Sequence, residues 1–209
     1  QNIKLRHEMA DTYPSEQLPI ERHPWEPWIP YDAKVLIMGT FPPGEHRRAM
    51  EFYYPNRTND FWRVMGIIFR DDAEAFYDRA SRSYRLDDIK EMLTLHGIAL
   101  SDTGAAVRRL KGNASDKYLE IVEPAPIAEL LARMPECAAI ATTGEKAAMT
   151  LAEATSTEAP AMGKHIQYSP AGHQDVEIWR LPSTSRAYPL APERKADYYR
   201  EFFKAAGIL

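Results

Sequence analysis

Four short polar segments of this chain each follow an apolar run: Gly39-Thr40-Phe41-Pro42, Ser101-Asp102-Thr103, Thr142-Thr143-Gly144 and Leu181-Pro182-Ser183-Thr184-Ser185. Between the first and the second stands Tyr53-Tyr54-Pro55-Asn56-Arg57-Thr58-Asn59, and Arg186 follows the last. Hydroxyls, carboxamides, a carboxylate and aromatic rings hydrogen-bond to and stack on a heterocycle, while hydroxyls, loop N–H groups and Arg hold phosphate. The chemistry these residue types fit is recognition of a neutral heterocycle attached to a phosphate backbone. Other chemistries lack their residues. The chain contains no Walker loop, no GxGxxG and no GxSxG elbow. His46 and His165 stand far apart, and no His/Cys cluster has metal-ligand spacing, so no metal is expected.

These segments need a scaffold that brings them to one edge. Lys34–Thr40 contains the continuous apolar run Val35-Leu36-Ile37-Met38, as expected for a strand covered on both faces. Gly97–Asp102, Cys137–Thr143 and Val176–Leu181 read as three further buried strands. Phe61, Val64, Met65 and Ile68 recur at helical spacing within residues 60–69, with Asn59 placed to cap that helix. Helices are also expected over residues 72–80, 85–95, 126–134, 144–153 and 192–206, the last with Pro192 in its first turn and Gly207 at its stop. Residues 154–175 read as loop or short strand. Alternating strands and helices predict a three-layer α/β/α sandwich around a central four-stranded parallel sheet. The polar segments then fall at the carboxyl ends of its strands, where open α/β sheets place their ligands.

Residues 1–33 carry Pro14, Pro19, Pro24, Pro27 and Pro30 with Trp25 and Trp28, a spacing that forbids a long helix. They are expected to form an extended arm packed on a single domain over residues 34–209, anchored by the Trp rings. A net charge of −4 gives no global basic signature, so nucleic-acid binding would need a local patch. Arg47, Arg48, Arg57, Arg108, Arg109, Lys111 and Lys146 are the candidates for that patch. The single Cys137, in an apolar run, reads as a buried inert thiol and suits a reduced compartment. No apolar run approaches membrane-spanning length and no signal-peptide pattern is evident, so a cytoplasmic protein is expected.

Gly39-Thr40-Phe41-Pro42-Pro43, then Phe52-Tyr53-Tyr54-Pro55-Asn56-Arg57-Thr58-Asn59-Asp60-Phe61-Trp62, then Leu181-Pro182-Ser183-Thr184-Ser185-Arg186 resemble the uracil-DNA glycosylase superfamily. The nearest likeness is to its mismatch-uracil and hypoxanthine-DNA glycosylase branches, and it spans about residues 34–206 in the family's motif order. The resemblance implies a monofunctional DNA glycosylase that flips a deaminated base, uracil first and hypoxanthine or xanthine next. Water then cleaves the N-glycosidic bond, as in base excision repair, with no metal and no cofactor. The implied partner is DNA containing a deaminated base, met by a monomer whose loop face stays free.

Carried over by position, Gly39, Thr40, Phe41, Tyr54 and Thr143 form the base pocket, with Tyr54 stacking on the extruded base. Pro42, Ser183, Thr184, Ser185 and Arg186 face the DNA backbone, Arg186 where relatives insert a wedge. The mismatch-uracil branch holds its water with an Asn where this chain has Phe41, and many relatives read the base edge with an Asn where it has Thr143. The hypoxanthine branch takes an Asn from further along, so Asn56 and Asn59 are candidates to orient water, and Asp102 is an alternative able to accept a proton. Each also has a structural reading: Asn56 as a turn residue, Asn59 as a helix cap, Asp102 as a loop tie and Arg186 as a solvated surface residue. Two other functions stay open, the first because both expected Asn residues are lost and the second because an acidic surface would matter less to it. One is a catalytically impaired member that binds nucleic acid or a damaged base; the other is an N-glycosidase of free nucleosides or nucleotides.

Overall fold

The computed structural model describes residues 14–111 and 115–209. Residues 1–13 of the expected arm lie outside the described residues. In chain order the strands are β1 (Glu21–Arg22), β2 (Val35–Gly39), β3 (Tyr77–Asp78), β4 (Ser83–Tyr84), β5 (Ile98–Asp102), β6 (Gly104–Arg109), β7 (Leu119–Pro124), β8 (Ala139–Thr143), β9 (His165–Tyr168) and β10 (Val176–Leu181). The helices are α1 (Phe61–Arg70), α2 (Leu86–His96), α3 (Ile127–Ala132), α4 (Glu145–Thr155) and α5 (Pro192–Ala205).

The central sheet runs β5-β2-β8-β10-β9. The four expected strands pair in parallel as read, but the sheet has a fifth strand: β9 adds antiparallel to β10 at the edge. The alternation of side chains along a strand explains the layers. Val35, Ile37, Ile98, Leu100, Ala139 and Ala141 turn to one face and pack with Phe61, Val64 and Met65 of α1, Ile89, Met92 and Leu93 of α2, and Tyr199, Phe202 and Phe203 of α5. Leu36, Met38, Ala99 and Ile140 turn to the other, against Ile127, Leu130 and Leu131 of α3 and Leu151 of α4. Burial on both faces is why these strands read as unbroken apolar runs.

Two departures have local causes. Residues 72–80 are not helical; they form turns and the β3–β4 ribbon. Asp72 Oδ1 accepts the Glu74 N–H at 2.9 Å and Asp78 Oδ1 accepts the Ala80 N–H at 3.0 Å, so short side chains close turns that compete with a helical ladder. A second sheet, β1-β6-β7, is built from residues 104–124 and from the arm. The arm is thus part of the fold: Glu21–Arg22 pair with β6, and Trp28 exchanges both backbone hydrogen bonds with Leu100 at 2.9 Å. Trp28 packs against Phe52, while Trp25 packs against Tyr53 and donates its indole N–H to Glu51. Cys137 is buried, which pushes its thiol up to about 12 and leaves it inert at neutral pH. Among the described residues, no helix is long and apolar enough to cross a membrane.

Candidate active site

Register sets the site. Gly39 pairs with Asp102 across β2–β5, Met38 with Thr142 across β2–β8, and Leu181 with Thr143 across β8–β10, so the polar strand ends line up along one edge. The chain leaves β2 for β5 on one side and returns to β8 on the other, which puts the switch of strand order at β2. The loops diverge there and open a cleft. Its volume is about 640 Å³, within the range of small-molecule sites. Gly39, Thr40, Phe41, Pro42, Tyr54, Asn56, Asn59, Asp102, Thr143, Ser183, Thr184, Ser185 and Arg186 all line it.

The deepest polar group surrounds Gly39. A methyl added there would lie 2.8 Å from Asp102 Oδ1 and 3.1 Å from the Tyr54 hydroxyl, with Thr143 Oγ1 at an ordinary 3.5 Å, so hydrogen on Cα is what leaves room for the carboxylate. Gly39→Ala is therefore expected to displace the Asp102 carboxylate. It should destabilise the fold by about 1–3 kcal/mol in urea unfolding and impair any activity that uses Oδ1; unchanged behaviour in both would refute the close approach.

Tyr54 has a left-handed backbone, φ 53°, which a non-glycine residue adopts at a cost of roughly 1–3 kcal/mol. Its ring stacks on Phe61 at 3.8 Å between centroids and its hydroxyl lies 3.3 Å from Thr143 Oγ1. Burial, reinforced by the Asp102 charge, raises the phenol well above its ordinary value, so it stays protonated and able to donate. Asn56 Oδ1 accepts from the Thr58 N–H at 3.0 Å and the Thr58 hydroxyl at 2.9 Å, closing a turn. Asn59 Oδ1 accepts the Phe61 N–H at 2.9 Å, a turn that leads into α1, whose N-cap is the next residue, Asp60. The turn reading of Asn56 is thus realised, the helix cap expected of Asn59 falls instead on Asp60, and both amide oxygens are engaged.

Asp102 is 7 % exposed and has a partner that local sequence reading missed: His23 Nε2 lies 2.7 Å from Oδ2. Asp116 was missed as well. It lines the cleft, and the Thr40 hydroxyl donates to its Oδ2 at 3.1 Å. Burial and the nearby Asp102 raise its carboxyl above the ordinary value, against the opposing effects of Thr40 and Lys146. No periodicity marks either residue, because each acts through a contact distant in sequence.

The loop after β10 is held from below. Ser183 Oγ accepts the Ser185 N–H at 3.1 Å and Ser185 Oγ accepts the Ala187 N–H at 3.3 Å. Tyr199 donates to the Pro182 carbonyl, and Lys195 Nζ donates both to Asp60 Oδ2 and to the Ser185 carbonyl, each at 3.0 Å. Thr184 is 2 % exposed and fastens the loop to α1 through its carbonyl, which accepts the Asp60 N–H at 2.8 Å. Lys195 was also missed, although it falls on the apolar stripe of α5 with Ala196, Tyr199, Phe202 and Phe203, a position where a cation needs a buried partner.

The expected basic patch is smaller than the sequence suggested. Arg108 pairs with Glu120 and Arg109 with Glu21, while Arg57 lies over the Tyr77 ring and shares Glu74 with Arg63 and Arg79, so these cations are engaged within the fold. Arg109 also donates to the Pro42 carbonyl at 2.6 Å, tying the arm to the first motif. Arg47, Lys117 and Arg186 are exposed and do line the cleft. Among the described residues no group of His, Cys, Asp and Glu is arranged to hold a metal ion.

Comparison with known proteins gives a fold and nothing finer. No family model matches the chain. No curated protein matches it either. Among solved structures, it resembles the solution structure of a Methanosarcina acetivorans protein provisionally described as a uracil DNA glycosylase. The TM-score is 0.58 and the identity 22%, over 90% of this chain and 99% of that one. What the two chains share is the mixed α/β fold.

Proposed function

We propose that the protein is a monofunctional DNA glycosylase of base excision repair, acting as a cytoplasmic monomer on duplex DNA that carries uracil, hypoxanthine or xanthine. The observation that supports this reading best is the convergence of Tyr54, Asp102 and the Ser183–Arg186 loop on one cleft at the switch of strand order. Flipping a nucleotide costs a few kcal/mol, least for a weakly paired lesion. Phosphate contacts from Ser183, Ser185 and Arg186, with Arg47 and Lys117 at the rim, offset that cost. The base enters beside Tyr54, whose neutral hydroxyl and Thr143 Oγ1 meet its polar edge.

Cleavage then proceeds by water. Its oxygen bonds C1′ while the C1′–N bond breaks, with the electron pair leaving on the base. Asp102 Oδ1 accepts one water proton and its charge faces the positive charge that grows on the sugar. The base takes a proton from solvent, and Asp102 returns its own to solvent once product leaves. Asn56 and Asn59 orient the water through their NH₂ groups, since their oxygens are engaged. That engagement also favours the second reading, a binding member of the fold without turnover.

Labelled duplexes with a single uracil, hypoxanthine or xanthine, treated with protein and then alkali, separate the readings. Strand scission that scales with protein, and binding that weakens as salt rises, are expected. Salt-sensitive binding without scission selects the second reading; base release from free nucleosides, but not from DNA, selects a nucleoside N-glycosidase. An Asn56→Ala variant cutting at full rate removes Asn56 from the water-orienting role.

A further inference from the structure

We propose that His23, contributed by the N-terminal arm, is a positioning residue of the catalytic site, and that its imidazole holds Asp102 with one carboxylate oxygen presented to the cleft. This inference rests on the glycosylase reading above.

The two oxygens of Asp102 have different surroundings. Oδ2 takes a 2.7 Å hydrogen bond from His23 Nε2, whereas Oδ1 points at Gly39 beside the Tyr54 hydroxyl. Donation from Nε2 places the imidazole proton on that nitrogen, with Nδ1 at 3.0 Å from the Trp25 carbonyl and 3.2 Å from the Trp25 amide nitrogen. The ring itself cannot swing. It stacks on Tyr53 at 5.6 Å and meets Trp25 and Phe41 edge-on at 5.8 and 5.3 Å. Its backbone N–H donates to the Ala105 carbonyl at 2.9 Å, next to the β1–β6 pairing. The side chain is only 12 % exposed. Three ring contacts, the Nδ1 contact with the Trp25 backbone and the backbone bond to Ala105 therefore fix an imidazole whose Nε2 orients a cleft carboxylate.

The pair also stands between two spaces. Asp102 lines the main cleft, and both His23 and Asp102 line a second cavity of about 270 Å³ whose wall includes Tyr53, Glu129 and Arg133. Asp102 thus borders open space on two sides. With Oδ2 bound by His23, Oδ1 stays on the cleft side, where the attacking water must lose its proton. A loop tie needs no such division of the two oxygens.

The test is single-turnover excision by the full chain of whichever deaminated base the wild type removes, using His23→Ala, His23→Gln, Asp102→Asn and the double variant His23→Ala/Asp102→Asn. His23→Ala is expected to slow the chemical step about 10–100-fold, with DNA affinity changed less than about threefold. His23→Gln, whose side-chain amide can donate to Oδ2, should recover most of that loss. In the double variant the two losses should not multiply: its rate is expected within about twofold of Asp102→Asn alone, because His23 acts only through that carboxylate. Multiplying losses, or a His23→Ala variant at the wild-type rate, overturns the proposal while leaving the glycosylase reading intact. Imidazole ¹⁵N NMR of the wild type supplies a readout that depends neither on turnover nor on the alanine variant folding: a protonated Nε2 whose resonance moves in Asp102→Asn is expected, and its absence overturns the proposal. If the wild type excises no deaminated base, the glycosylase reading fails, and an NMR-visible pair is then a structural tie without the catalytic role proposed here.

Discussion

Asp102→Asn is expected to lower excision of a deaminated base by roughly 10²–10⁴-fold, equivalent to about 3–5 kcal/mol of barrier, with DNA affinity little changed. The substitution keeps the size and shape of the side chain, and an amide can still meet His23 across the 2.7 Å contact. What it removes is a proton acceptor at Oδ1 and a negative charge facing the sugar. Both act mainly in the transition state, so the loss belongs in the rate of the bound complex and not in Kd. The amides give a calibrated contrast. Asn56 and Asn59 orient water through NH₂ groups and carry no charge, so truncating either is expected to slow excision about tenfold, about 1.4 kcal/mol of barrier, and separately to open the turn that its oxygen closes. Single-turnover rates with each variant in excess over substrate measure this order directly. If Asp102→Asn retains more activity than Asn59→Ala, the proton acceptor is not Asp102 and the water is held by amides alone.

The sequence exposed the frame of this site because the frame is built from local signals. Val35–Met38, Ile98–Leu100 and Ala139–Ala141 are buried on both faces, and that burial writes itself as continuous apolar runs. Once these strands are known to run parallel, the residues that follow them must meet at one edge, which is why Gly39, Asp102, Thr143 and Ser183 could be grouped before any coordinates. The β9 edge and the β1-β6-β7 sheet were harder. Leu119–Pro124 does alternate apolar and charged residues at its start, a half-buried strand signal, but it pairs with β6, a strand interrupted by bulges whose other neighbour is a short segment of the arm. The tuning groups were not legible at all, for a physical reason. His23 reaches Asp102 across 79 positions and Lys195 reaches Asp60 across 135, and no periodicity encodes a contact between one polar side chain and another so distant. Similarly, residue type alone does not reveal which basic side chains are available, because that depends on Glu21, Glu74 and Glu120, which engage Arg109, Arg57 and Arg108.

Lys195→Ala is expected to destabilise the protein by about 3–5 kcal/mol, a fall in Tm of roughly 10 °C for a chain of this size, and to weaken DNA binding about tenfold or more. Lys195 is 0 % exposed and Asp60 is 3 % exposed, so deleting the ammonium leaves a carboxylate out of reach of bulk water. Arg63 at 3.4 Å and Arg186 at 3.7 Å compensate only in part, because they reach the other oxygen, Oδ1, at longer range. The second consequence concerns the loop. Lys195 Nζ is the donor that holds the Ser185 carbonyl at 3.0 Å, and Asp60 is the acceptor that keeps Lys195 in place while its own N–H holds the Thr184 carbonyl. One buried pair therefore sets the height of the loop proposed to grip phosphate. A charge-neutral double variant, Lys195→Met with Asp60→Asn, separates the two effects. Removing both ions abolishes the unpaired buried charge, so stability should recover by several kcal/mol relative to Lys195→Ala. The Ser185 carbonyl still lacks its donor, so binding should remain weak. Urea unfolding and fluorescence anisotropy with a lesion-bearing duplex read the two quantities separately. Recovery of affinity together with stability would show that the loop needs only a folded scaffold, and that the Lys195 contact to Ser185 does not shape the DNA-binding surface.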